Sequence, residues 1–347
     1  MFTNTIWKIF DKLVVTSRSS SHRSLVETSK ITDGIPIWIH GFGRSGTTTA
    51  HQRICRALDY NGIFEPLHPN RDSMIPDQSL FEKAADVFRA VPIADRWDSY
   101  VHEKWMVGSL RTFGDGWESL PEHELFERFL DALYETYGFR VVVKEIRLFG
   151  NLELISHYHA KRSIPFYFLG IIANPVVPLY AYYRRGYLAT GYQSWKTNIE
   201  NLYRYRIDFC RLSGRHGDIA RLPAKLPSEK FLIGCLIDNA ELLHFIAKDP
   251  QHRRHGGLQD IDECVEWFSD RTGTPMTGTE SERSVRNIGE GVDRWFYRDI
   301  IEKLSPSIRS LLENHWGVIS PQADGIQQGS NWKRKAVSLR HNCFNHD

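Results

Sequence analysis

The stretch Ile35-Pro36-Ile37-Trp38-Ile39-His40-Gly41-Phe42-Gly43-Arg44-Ser45-Gly46-Thr47-Thr48-Thr49 constrains this chain more than any other. Its first five residues are largely apolar and rich in β-formers, which predicts a buried strand. Three glycines, an arginine and a run of hydroxyls follow before a helical pattern begins, so the unit reads strand, loop, helix. Glycine lets the backbone turn tightly and approach a ligand, while the start of the next helix adds its positive end. Arg44 brings a permanent charge with a planar fork of donors, and Ser45, Thr47 and Thr48 bring hydroxyls. Gly43, Arg44, Ser45, Gly46, Thr47 and Thr48 are therefore the candidate ligands of a tetrahedral oxyanion, a phosphate or a sulfate.

Several other chemistries fit less well. A nucleotide triphosphatase loop reads G-x-x-x-x-G-K-[ST]; Gly41 and Gly46 keep that spacing, but Thr47 stands where the lysine belongs. A plain connecting turn would need neither the arginine nor the hydroxyl cluster. Gly43-Arg44-Ser45-Gly46 is one spacer short of a nucleophile elbow, and the histidines show no H-E-x-x-H spacing, so no metal is implied. A net charge of +2 with scattered basic residues excludes a broad nucleic-acid surface and leaves anion binding local. The five cysteines are odd in number and far apart, which fits a reduced compartment, with Cys55 and Cys235 expected as small buried hydrophobes.

The chain divides into an N-terminal helix and connector over 1–30, an α/β domain over 31–319 and a polar tail over 320–347 that is expected to be disordered. Ile6 to Val15 is interrupted by charges and too short to span a bilayer. Gly46 to Leu58 has helical periodicity, and Asn61 to Pro69 carries two prolines that hold Glu65 and His68 on an irregular segment at a strand end. Ser119 to Glu122 has capping-box spacing ahead of an apolar stripe from Leu125 to Tyr137. Phe139–Val143 and Phe166–Ile172 read as further buried strands. Lys144 and Arg147 follow the first of these as two cations facing one crevice, with salt bridges to Glu145 or Glu153 as the structural alternative. Ala173-Asn174-Pro175 opens a helix through Arg184 and Arg185, and Gly191 to Phe209 reads as a helix plus loop. Arg211 to Lys230 reads as a linker or insertion, Phe231 to Ile237 as a buried strand and Glu241 to Ala247 as a helix. Ile261 to Phe268 reads as a helix, Ser269 to Ser284 as a loop and Ser305-Pro306 as a last helix start.

The run Gly43-Arg44-Ser45-Gly46-Thr47-Thr48 resembles the 5′-phosphosulfate loop of sulfotransferases that use 3′-phosphoadenosine 5′-phosphosulfate (PAPS), and similarity continues with gaps to about Glu313. The resemblance implies a P-loop NTPase-like sulfotransferase fold, three layers α/β/α around a mainly parallel sheet. It also implies in-line transfer of a sulfuryl group from PAPS to a hydroxyl or amine, carbohydrate among the acceptor classes, without a metal. Glu65 then becomes the candidate general base and His68 the second. Lys144 and Arg147 support the site or hold the acceptor, and Arg71 to Gly116 shapes the acceptor pocket. Val285 to Trp295 is similar to the late loop that closes over the nucleotide, giving Arg286 to the 3′-phosphate and Gly291 to the backbone approach, with Asn287 where the family has lysine.

The chain departs from the pattern at Ala173 and Ala181, where the family has an arginine and a serine that grip the 3′-phosphate; Arg184 and Arg185 are the available substitutes. The alternative is therefore a catalytically degenerate nucleotide-binding or scaffolding protein on the same fold. With no signal anchor visible, the chain resembles soluble bacterial or cytosolic members, and a cytoplasmic location is expected. Acceptor identity and oligomeric state are not legible in the residues.

Overall fold

A computed structural model describes residues 34–66, most of 126–184, 193–277 and 294–316. Among the described residues five strands form one parallel sheet: β1 (Ile37–Gly41), β2 (Asn61–Phe64), β3 (Val141–Lys144), β4 (Tyr167–Ile171) and β5 (Arg253–Gly256). They lie in the order β2-β3-β1-β4-β5, so the strand that enters the glycine loop is central. Register sets Ile39 against Lys144 of β3 and Gly41 against Ile171 of β4.

Helices cover both faces. On one, Ile37, Ile39, Val142 and Leu169 pack against α1 (Thr47–Leu58) and a later helix, Ile261–Thr272. On the other, Trp38, Val141, Val143 and Phe168 pack against α2 (Leu152–Lys161), helical residues within 126–137 and the end of a long helix, Pro227–Ala247. Both faces of the central strands are buried, which is why they read as continuous apolar runs. A second core joins α3 (Val176–Arg184), α4 (Gln193–Ser213), a short α5 (Gly217–Ala220) and the first half of α6 (Pro227–Ala247). It also takes in residues on either side of Leu304, after α7 (Ile261–Thr272), from α8 (Arg294–Asp299) and α9 (Pro306–Trp316).

The α/β class and the three layers follow the expectation, and three local readings are corrected. Phe231 to Ile237 is helical, part of α6. A short apolar run does not distinguish a buried strand from a helix buried all round, and α6 buries almost every residue from Phe231 to Ile246. Its start is fixed by Pro227 and by the Glu229 carboxylate, which accepts the N–H of Lys225 at 2.8 Å and of Leu226 at 3.0 Å. Arg211 to Lys230 is no linker, since α4 runs to Ser213 and α5 lies between it and α6. The segment from Ser269 begins as the last turn of α7 rather than as loop. β5 was not foreseen: Arg253-Arg254-His255-Gly256 has no apolar pattern and is ordered as an edge strand by pairing with β4. The N-terminal helix and connector, the domain start near Ile31, the segment 71–116, the capping box at Ser119 and the tail lie outside the described residues. Among the described residues no helix is long and apolar enough to cross a membrane.

A buried chain of hydrogen bonds fixes one proton arrangement in the core. Trp38 Nε1–H donates to the Tyr134 hydroxyl at 3.1 Å, which lies 3.0 Å from His159 Nε2, and His159 Nδ1–H donates to the Ile164 carbonyl at 3.2 Å. The Tyr134 proton therefore goes to Nε2 of a neutral imidazole. Burial pushes His159 down to about 3, and His40 and His51 down to about 4. All three stay neutral in the fold while the unfolded chain takes up protons below about pH 6.5. Stability should accordingly fall as pH drops from 6.5 towards 4, by on the order of 1–2 kcal/mol per histidine between pH 7 and 5. Urea midpoints at the two pH values measure this, and Tyr134→Phe with His159→Leu should remove one histidine's share of the slope.

Candidate functional site

The chain leaves β1 towards α1 on one face and leaves β3 towards α2 on the other, so the carboxyl ends of these neighbouring strands border a crevice. That divergence is where parallel sheets place ligands. The glycine loop forms one wall. A Cβ on Gly41 would lie 2.8 Å from the Ile171 carbonyl oxygen and 2.9 Å from both Ser45 Oγ and Thr47 Cγ2, so only glycine fits there. The loop turns back on itself through Ser45 N–H donating to the Phe42 carbonyl at 3.0 Å. Arg44 and Gly46 both take positive φ, 71° and 102°, and for arginine that conformation is strained.

Helix α1 then starts at Thr47 with Gly46 as its cap and no side-chain cap bond. Among the described residues, the N–H groups of Gly46, Thr47 and Thr48 meet no backbone acceptor, and the buried Ser45 hydroxyl, 3 % exposed, has no partner. Orphan amides at a helix start together with an unsatisfied buried hydroxyl make a cup of donors, and its natural complement is an anion. Thr47 is buried beside it, whereas Thr48 and Arg44 are exposed at the rim. Phe42 anchors the loop by meeting the Phe231 ring edge-on at 5.0 Å.

The other wall holds Glu65 and Lys144. Glu65 N–H donates to the Lys144 carbonyl at 2.6 Å, extending the β2–β3 pairing by one residue, and Glu65 itself has φ 42°. Its carboxylate pairs with the Lys144 ammonium, the two residues being 5 % and 2 % exposed, and the ammonium lies 4.2 Å from the centre of the Phe64 ring. Lys144 is thus a buried cation paired with Glu65. Glu145 accepts from the Ile146 N–H at 2.8 Å, and Glu153 pairs with Lys248. Two candidates from separate parts of the sequence, Glu65 and Lys144, are thus brought into one contact.

Histidines that the sequence did not single out brace both walls. His40 Nδ1–H donates to the Glu145 carbonyl at 2.6 Å, and Glu145 N–H returns a bond to the Ile39 carbonyl at 3.0 Å. His51 on α1 donates from Nε2 to the Val142 carbonyl at 3.0 Å. Burial keeps both rings neutral, so each bond has a defined donor. The only sequence signal for His40 was its place next to Gly41, which does not reveal a partner more than a hundred residues away.

Beyond β4, the Ala173 carbonyl accepts from Asn239 Nδ2 at 3.0 Å, and Asn174 Oδ1 accepts the Val176 N–H at 3.0 Å, which starts α3. Arg184 is exposed at the far end of α3, 5.9 Å from the Tyr180 ring centre. His68, Arg147, Arg185, Arg286, Asn287 and Gly291 lie outside the described residues. Among the described residues no group of three or more His, Cys, Asp or Glu could hold a metal ion. The site is therefore an α/β crevice with a donor-lined loop on one side and a buried ion pair on the other. No family model matches the chain, and no curated protein matches it significantly.

Removing one member of a buried ion pair strands the other charge, at a typical cost of about 3–5 kcal/mol, while an apolar pair of similar volume is often tolerated. Lys144→Met should therefore lower the urea-derived stability by about that amount, and Lys144→Met combined with Glu65→Leu should recover more than half of it. A double variant no more stable than the single one would show that the crevice wall depends on the charges themselves.

Proposed function

We propose that this chain is a sulfotransferase that moves a sulfuryl group from PAPS to a hydroxyl or amine acceptor by in-line displacement. The observation that carries the reading is the loop cup: uncapped amides at the start of α1 around a buried Ser45 hydroxyl without a partner among the described residues. Those donors suit the 5′-phosphosulfate, where charge on the transferring group and on the leaving phosphate has to be stabilised. The bound donor supplies the activated S–O bond that breaks.

The backbone of β2, which Glu65 follows, lies two strand spacings, about 10 Å, from that of β1, because β3 lies between them. That leaves room for an acceptor oxygen between carboxylate and sulfur. In this reading Glu65 takes the acceptor proton as the new O–S bond forms, and Lys144 holds the carboxylate in place until then. The loop end of β1 stays fixed to β3 through His40, which keeps the two walls at constant separation. Buried, unpaired Cys55, Cys210, Cys235 and Cys264 suit the reducing, cytoplasmic setting that belongs to this proposal.

A second reading, a nucleotide-binding protein without transferase activity, draws on a specific observation. At the 3′-phosphate side Ala173 has no side-chain donor, and its carbonyl is already engaged by Asn239. Isothermal titration with 3′-phosphoadenosine 5′-phosphate and with AMP tests donor recognition, and transfer of labelled sulfuryl from PAPS into a cell extract tests turnover. Ser45→Ala should weaken binding of the bisphosphate by roughly tenfold. Glu65→Gln should leave that affinity in place and lower turnover by on the order of 10²-fold or more. If neither nucleotide binds, the reading fails; if binding is tight and no acceptor is sulfated, the second reading stands.

A further inference from the structure

We infer that Tyr182, on α3, is a ligand-binding residue of the same crevice, its phenol O–H donating to an oxygen of the tetrahedral group held by the glycine loop. The inference rests on the anion-binding reading of that loop and adds a residue that lies outside it.

At Gly43 the missing side chain faces groups from two other elements. A methyl group placed there would lie 3.4 Å from the Tyr182 hydroxyl oxygen and 3.7 Å from Ile146 Cδ1. The hydroxyl comes from the helix after β4 and the methyl carbon from the segment after β3, so the two flank a slot above the loop from both sides of β1. Gly43 thereby leaves a space bounded by backbone, a phenol oxygen and an apolar tip. Through Gly43 the phenol oxygen lies beside the same loop that carries the buried Ser45 hydroxyl and the orphan amides that begin α1.

The phenol is also held in position. Its ring packs on Phe231 at 4.8 Å between centres, and Phe231 meets Phe42 of the loop at 5.0 Å. Phe42, Phe231 and Tyr182 form a run of rings linking loop, α6 and α3, so the hydroxyl is carried by groups that also anchor the loop. A pre-set phenol costs little conformational entropy when it donates, which is how one added hydrogen bond comes to matter for an anion. Tyr180, two residues earlier, packs on Phe296 instead, at 4.9 Å, and serves as the contrast.

The test is isothermal titration of the full chain with 3′-phosphoadenosine 5′-phosphate and, separately, inorganic sulfate. Tyr182→Phe keeps the ring on Phe231 and removes only the hydroxyl; it should weaken bisphosphate binding by roughly tenfold or more. Tyr180→Phe should leave affinity within about twofold of the native value, consistent with a hydroxyl that makes no ligand contact. Gly43→Ala, which places a methyl group in the slot, should also weaken binding, and it tests the same space should Tyr182→Phe fail to fold. Native-like affinity in Tyr182→Phe, or in Gly43→Ala, with the native protein binding normally, overturns the role of Tyr182 alone. A native protein that binds neither probe overturns the loop reading and this inference with it.

Discussion

At the end of the central strand there is no space for a side chain. Gly41 is closed in by the Ile171 carbonyl of the neighbouring strand and by Ser45 and Thr47 of the loop that follows, so the backbone must pass through a gap that any Cβ would fill. This close approach folds the loop back over the strand and points the start of α1 at the crevice. The donor cup, the strained Arg44 and the uncapped Gly46 all follow from that turn.

The polar groups buried around the turn explain why the two walls hold together. His40 ties the end of β1 to Glu145, His51 ties α1 to β3, and the Glu65–Lys144 pair joins the ends of β2 and β3. Each such group is costly to bury unless it finds a partner, and each partner comes from a different element. The same principle operates behind the loop, where Arg206 of α4 makes a two-point contact with Asp238 of α6 at 2.6 and 2.7 Å. The guanidinium of that pair lies 4.7 Å from the Phe149 ring and 5.6 Å from the Phe42 ring of the glycine loop. Gly234 lets it approach, since a Cβ there would lie 3.2 Å from the arginine stem. Polar pairing of this kind permits few alternative arrangements, because a shifted helix would leave a charge unpaired.

Neutral histidines in these positions link the site to pH. A second proton would go to Nε2 of His40 or to Nδ1 of His51, away from the carbonyl each ring already serves, and burial opposes the charge it brings. The geometry of both walls is therefore preserved where imidazole is neutral and is opposed by acid, in the same direction as the global stability.

Much of the architecture was legible in the residues because it rests on local chemistry. Apolar runs around Ile37, Val142 and Phe168 announced strands, glycines and hydroxyls announced a loop that turns and donates, and the period from Ala50 to Leu58 announced a helix. Phe231 to Ile237 could not be read that way, since burial on every side erases the stripe that tells helix from strand. Arg253 to Gly256 had no pattern at all and became a strand only because β4 offered an edge. The residue types of the site, an arginine and hydroxyls beside glycines and a carboxylate near prolines, were likewise set by the sequence. What tertiary structure alone decided was who meets whom: Glu65 with Lys144, His40 with Glu145, Tyr182 with the open side of Gly43. Those contacts join residues tens to more than a hundred positions apart, and spacing along a chain carries no record of distances that only sheet order and helix packing create.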